Sequence, residues 1–169
     1  ITTTGTLTAG EEGIDAAIDD GGLLTVNNAA RLTATGTGIL ASVDGGTTII
    51  NNTGSITSNG SDGINVANVS GGSTITNSGD ITATTTDKYV IAGGDAVETV
   101  TTTAGTLTGN TDLGAGNDSF TASGGTLIGN TLMGDGDDVT TLTGTVDVTA
   151  APQFDGGVGT DVLNVDGLA

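Results

Sequence analysis

The chain has 169 residues, of which 20 are acidic and two are basic, giving a formal charge of −18 without any histidine or cysteine. Such a chain repels phosphates and anionic lipid headgroups, so we expect no nucleic-acid partner and no insertion of this segment into a membrane. The missing cysteines exclude disulfides and thiolate metal sites. Without histidine or cysteine the usual nucleophile–base pairs are absent, so we expect no enzyme.

The apolar third of the chain consists mostly of Ile, Val, Leu and Ala, which recur at regular intervals. Disordered chains lack both this β-branched content and this order. The composition therefore predicts a folded β protein, although glycine is abundant and aromatic residues are rare.

The N-terminal half repeats with a period near 25. Gly-Ile pairs stand at 13–14, 38–39 and 63–64, and Tyr89 falls where a fourth isoleucine is expected. Short strands are predicted at 5–10, 31–36, 54–60 and 79–85, and after double glycines at 21–28, 45–52 and 71–78. Gly, Asn and Asp separate them, which are residues that tolerate the backbone of tight corners.

Past Tyr89 the period shortens to 20, because the stretches 94–102, 114–122 and 134–142 align at that offset. Residues 105–124 and 125–144 are identical at eleven aligned positions, and the next acidic loop, 157–161, follows after 23 residues. We predict a single unit over 1–169, with coils of about 25 residues over 1–88. Shorter coils of 20–23 residues with acidic loops follow over 89–169.

Repeats of this length with three strands each predict an all-β, three-sided parallel β-helix of about seven coils, stacked roughly 4.8 Å apart. Stacked coils place like residues in columns. One inward column is predicted at Leu7, Leu32, Ile56, Ile81, Leu107, Leu127 and Val146. An outward threonine ladder is predicted beside it, at Thr8, Thr33, Thr57, Thr82 and Thr108, ending at Ile128.

The stretches 52–66, 77–85, 105–121 and 125–140 resemble repeats in the passenger domains of bacterial autotransporters. The resemblance implies a right-handed β-helix that is extracellular, attached to the outer membrane or secreted, and that acts as an adhesin in virulence, aggregation or biofilm. The expected partners are host or neighbouring cell surfaces, or further copies bound through the ends or faces of the β-helix. Since the chain begins within the pattern, we expect a segment of a longer protein.

The acidic loops are similar to the calcium-binding G-G-x-G-x-D-x-U-x nonapeptide of RTX proteins, in the stretches 113–121, 133–141 and 156–164. This resemblance implies Ca²⁺ ligation by Asp118, Asp138 and Asp161. Carbonyl ligands would come from Gly114, Gly116, Gly134, Gly136, Gly157 and Gly159. It favours an alternative function, a calcium-binding surface or filament-forming module.

The same loops have a second interpretation, in which the aspartates are corner residues that hydrogen-bond their own turns. The period places Glu98, Asp118 and Asp138 along one edge. Two carboxylates about 5 Å apart repel by about 1 kcal/mol in water-like surroundings and by about 3 kcal/mol at an effective dielectric constant of 20. Converging carboxylates would therefore need a cation such as Ca²⁺, whereas exposed ones need none.

Overall fold

Three parallel β-sheets run along one axis and enclose a narrow apolar core. The computed structural model describes residues 1–150 and 152–168. Every regular element in these ranges is a strand, and no helix there could cross a membrane.

The strands are short because each forms one side of a coil. In chain order they are β1 (Thr2–Thr3), β2 (Thr6–Ala9), β3 (Ile14–Ile18), β4 (Leu23–Asn28), β5 (Arg31–Ala34), β6 (Ile39–Val43), β7 (Thr47–Asn52), β8 (Ser55–Ser58), β9 (Ile64–Val69), β10 (Ser73–Asn77), β11 (Ile81–Ala83), β12 (Tyr89–Gly94), β13 (Glu98–Thr102), β14 (Thr106–Thr108), β15 (Asn110–Gly114), β16 (Ser119–Ala122), β17 (Thr126–Ile128), β18 (Thr131–Leu132), β19 (Val139–Thr143), β20 (Phe154–Asp155) and β21 (Val162–Asp166).

From β1 to β19, successive strands belong to successive sheets, which makes the chain a β-solenoid of about seven coils, as predicted. The eight-stranded sheet has the order β1-β4-β7-β10-β13-β16-β19-β21, and the six-stranded sheet has the order β2-β5-β8-β11-β14-β17. The seven-stranded sheet has the order β3-β6-β9-β12-β15-β18-β20. Equivalent residues lie 24 to 27 positions apart in the first coils, then 20 or 21 and finally 23.

The predicted leucine and isoleucine column forms the inward side of the six-stranded sheet from Leu7 to Leu127. Leu32, Ile56 and Ile81 in its middle are completely buried. The threonine ladder from Thr8 to Thr108, with Ile128 at its end, is confirmed on the outward side of the same sheet. Side chains alternate between the two faces of a strand, so one register accounts for both columns.

The prediction for the last member of the inward column was wrong. Thr126 pairs with Asp147, so the residue opposite Leu127 is Val148 and not Val146. Both valines point toward the core, because they lie two positions apart on an extended segment. The corner between 142 and 147 therefore contains more residues than the repeat period predicts.

The prediction for Tyr89 was also wrong. Ile91 lies opposite Ile64, whereas Tyr89 pairs with Asn110, and the register shifts between Tyr89 and Ile91. A bulge of this kind adds a residue to one strand without changing the stacking of the coils. Ile91 is fully buried, while Tyr89 is half-buried and its hydroxyl lies beside Asp112.

Candidate functional site

The acidic loops form the corners through which the chain passes from the seven-stranded sheet into the eight-stranded sheet. The second glycine of each G-x-G-x-D segment holds its corner at a positive φ, which is 131° at Gly116 and 151° at Gly136. A Cβ on Gly136 would collide with the carbonyl oxygen of Gly116 in the preceding coil. Glycine is therefore required where these corners stack.

The aspartate of each loop immediately precedes a strand of the eight-stranded sheet and faces inward. In the earlier coils, the residues at the equivalent position are apolar or carry a hydroxyl group. The column comprises Leu24, Thr48, Ser73, Glu98, Asp118, Asp138 and Asp161. We call Glu98, Asp118, Asp138 and Asp161 the carboxyl column.

Backbone amides link the carboxyl column from coil to coil. The amide of Glu98 donates to Oδ1 of Asp118 over 2.7 Å, and the amide of Asp118 donates to Oδ1 of Asp138 over 2.7 Å. The amide of Asp138 donates to Oδ1 of Asp161 over 3.1 Å. Each aspartate therefore binds the chain of the preceding coil rather than its own turn.

The first three members of the column are removed from solvent. Glu98 is 0% exposed, Asp118 2% and Asp138 1%, whereas Asp161 at the end of the solenoid is exposed. Oε1 of Glu98 and Oδ2 of Asp118 and of Asp138 are buried without any hydrogen-bond partner. A buried carboxyl oxygen without a partner costs free energy, most of all when the group is ionised.

Burial raises the pKa of these carboxyls. Loss of hydration, helped by the negative charge of Asp118, raises the pKa of Glu98 to about 8, although the Gly94 amide and the Ser73 hydroxyl lower it. Burial raises the pKa of Asp118 to about 6, against the opposing effect of the Glu98 amide. Burial also raises the pKa of Asp138, and the charges of Asp161 and Asp137 add to it.

Two of the glycine carbonyls expected to bind calcium accept backbone amides of the next coil. The carbonyl oxygen of Gly114 accepts the amide of Asp135 over 2.9 Å, and that of Gly134 accepts the amide of Val158 over 2.8 Å. The carbonyl oxygens of the next glycines, 116 and 136, point toward the glycine of the following coil, where a Cβ would collide. Gly157 and Gly159 continue the two glycine rows, next to the carbonyl oxygens of glycines 134 and 136.

The structure thus brings Asp118 and Asp138 together in a line, and they neither converge on one point nor face water. Among residues 1–150 and 152–168, no three acidic side chains are grouped as a metal site would require. The three buried oxygens without partners are nevertheless hard donors of the kind that Ca²⁺ prefers, whereas the carbonyls of Gly114 and Gly134 each accept one backbone amide.

A second polar column was not predicted from the sequence. It lies four positions further along each strand of the same sheet and runs Thr3, Asn28, Asn52, Asn77 and Thr102. Nδ2 of Asn28 donates to Oδ1 of Asn52 over 2.8 Å, and Nδ2 of Asn52 donates to Oδ1 of Asn77 over 2.7 Å. The Asn-Asn pairs at 27–28 and 51–52, 24 residues apart, are the signal that could have revealed it.

Comparison with protein-family models, curated proteins and solved structures finds no match to this chain. The solenoid is therefore established by the chain's own strand register, and the resemblances to autotransporter passengers and RTX loops remain predictions from its motifs.

Proposed function

We propose that this chain is a non-enzymatic structural and adhesive segment of a bacterial surface protein, similar to an autotransporter passenger domain and located outside the cell. The observation that carries the proposal is the unbroken stacking of coils. The eight strands of the largest sheet pair in one continuous parallel order, which makes a rod roughly 34 Å long at a strand spacing of about 4.8 Å.

Two internal features favour a stiff rod over a flexible spacer. Apolar columns fill the centre, with Ile50, Ile75, Val100 and Phe120 stacked and fully buried. The asparagine ladder beside them binds one coil to the next through side chains, in addition to the backbone pairing. A segment held in both ways suits a stalk that keeps a binding surface away from a cell.

Adhesion is the function that a regular surface supports best. Outward residues recur in rows at each coil, so a partner with its own repeat would meet many equivalent contacts at once. Simultaneous weak contacts raise the overall affinity without any single deep site. The excess of acidic residues keeps such a rod soluble and repels other acidic chains at its charged faces.

The proposal is tested by displaying the chain on a non-adherent bacterium through an outer-membrane translocator. We expect displaying cells to aggregate or to bind epithelial cells more than cells with the translocator alone. The matched control is Ile75→Asp, which places a charge in the fully buried core and disrupts the solenoid. Equal adhesion by both forms, at equal surface amounts, would contradict an adhesive role for the folded rod.

The buried oxygens of the carboxyl column favour a second candidate, the calcium-binding surface or filament-forming module. Asp118 and Asp138 would hold the ion, and Ca²⁺ would neutralise their charges when they ionise. We expect this candidate to show a melting temperature several degrees higher in Ca²⁺ than in EGTA. The gain should be lost in the Asp118→Asn/Asp138→Asn double variant. An identical melt in Ca²⁺ and EGTA removes this candidate.

A further inference from the structure

The charges of this molecule are distributed unequally over its three faces. Glu98 is the only charged residue within β1, β4, β7, β10, β13, β16 and β19, and it faces inward. By contrast, strands of the other two sheets carry Arg31, Asp15, Asp112 and Asp155. In a chain of charge −18, the outward positions within these seven strands are therefore uncharged, and the charged Asp137 stands two positions before β19.

We call this surface the neutral face, and it is lined by two outward rows of mostly hydroxyl and amide side chains. The first row is Thr25, Ile49, Thr74, Thr99, Ser119 and Val139. The second row is Asn27, Asn51, Thr76, Thr101, Thr121 and Thr141.

A cleft of about 320 Å³ opens on the neutral face, where Gly72 interrupts a third outward row between Thr47 and Val97. Thr74 and Thr99 also line it. The gap is enforced by the backbone, since Gly72 has φ of 95° and a Cβ there would lie 2.7 Å from the carbonyl oxygen of Val97. Threonine hydroxyls and the 50% exposed Val97 side chain therefore surround a space without charge.

The charge distribution selects the occupant. Anionic partners are repelled by the whole molecule, and cationic ones are drawn to the carboxylates of the other faces and corners. An uncharged partner is neither repelled by the molecule nor drawn to its other faces. Hydroxyl and amide groups both donate and accept hydrogen bonds, which matches a polyol, while Val97 and Ile49 offer apolar contact to its C–H groups. A partner with a linear repeat would use the rows on both sides of the cleft.

We propose that the neutral face binds a linear uncharged polysaccharide, with the cleft at Gly72 as the central contact. The inference rests on the proposed adhesive function and names its binding face and partner. Because no ion pair is involved, binding should change little between low and high salt.

The test measures retention of the purified full chain on an insoluble neutral β-glucan and on polygalacturonate beads. We expect retention on the glucan and none on the anionic polymer. Thr74→Glu should lower the apparent affinity for the glucan by roughly fivefold or more, because it fills the cleft and adds a charge that contact must desolvate. Val97→Ala, a milder change, should give a smaller fall.

The matched control is Thr82→Glu, at an outward position of the six-stranded sheet, and it should bind like the unmodified chain. Equal losses in Thr74→Glu and Thr82→Glu, absence of retention on the glucan, or stronger retention on polygalacturonate would each overturn the inference. If cells displaying Thr74→Glu remain fully adhesive, this inference fails while the adhesive function stands. If cells displaying the unmodified chain do not adhere, the function itself fails.

Discussion

Replacing Asp118 with asparagine should stabilise the protein at neutral pH, although it removes a hydrogen-bonded and fully buried side chain. Asparagine keeps an Oδ1 that can accept the Glu98 amide. It also replaces the unpartnered Oδ2 with an amide that can donate along the column. The chain already contains such an arrangement, because Asn52 accepts from Asn28 and donates to Asn77.

The size of the effect follows from the pKa of Asp118. Burial raises this pKa from the ordinary value of 3.8 to about 6, so ionised Asp118 opposes folding by about 3 kcal/mol above pH 6. We expect Asp118→Asn to recover about 2–3 kcal/mol of this cost, which corresponds to a rise of roughly 4–12 °C in melting temperature for a chain of this length.

The sign of the effect depends on pH. Because the folded pKa lies above the unfolded one, Asp118 costs nothing below about pH 4, where it is protonated in both states. The cost grows between pH 4 and pH 6 and is constant above. Thermal melts followed by circular dichroism should therefore show the gain at pH 7.5 and little or none at pH 4.

Asp135→Asn is the matched control, because it removes the same charge from an exposed corner. It should change the melting temperature far less than Asp118→Asn. If Asp118→Asn lowers the melting temperature at pH 7.5, or raises it equally at pH 4, the buried carboxyl does not destabilise the fold and the reasoning is refuted.

Three further outcomes are expected. The unmodified chain should melt at progressively lower temperature as the pH rises from about 4.5 to about 8. The pKa of Glu98 is raised to about 8 in the folded state, so its side chain ionises at an increasing free-energy cost to folding over this range. A stability maximum near pH 8 would contradict this. Asn52→Ala should cost about 2–4 kcal/mol in urea denaturation, because it removes the ladder hydrogen bonds made by Nδ2 of Asn28 and Oδ1 of Asn77 inside the core. Asn51→Ala on the outward side should cost under about 1 kcal/mol, and equal losses would exclude a special role for the ladder. Gly136→Ala should cost about 2 kcal/mol or more in the same assay, because the backbone there has a positive φ and the new Cβ would collide with a neighbouring coil. Gly10→Ala is the control, since its Cβ meets no atom within 4 Å, and it should be near neutral. Similar stabilities for the two variants would show that the corners can relax.

The sequence alone determined the architecture of this protein. Period and alternation together predicted the parallel solenoid, its inward column from Leu7 to Leu127 and the outward threonine ladder, because stacked coils repeat the same side chain at the same position. Deviations from the period were the weak point. Tyr89 and Val146 were placed by counting residues, and a bulge and a long corner moved the register to Ile91 and Val148.

The burial of the acidic residues and the charge of the surface follow from the folded structure and not from the sequence motifs. A G-x-G-x-D loop is compatible with an exposed corner or a cation site, and the spacing does not say on which side of the next strand its aspartate lies. That side is set by the register of the eight-stranded sheet, which places Asp118 and Asp138 inward. The same register leaves the outward positions uncharged within β1, β4, β7, β10, β13, β16 and β19. Burial and charge depend on which coils lie above and below a residue, and those neighbours are 20 to 27 positions away in the chain.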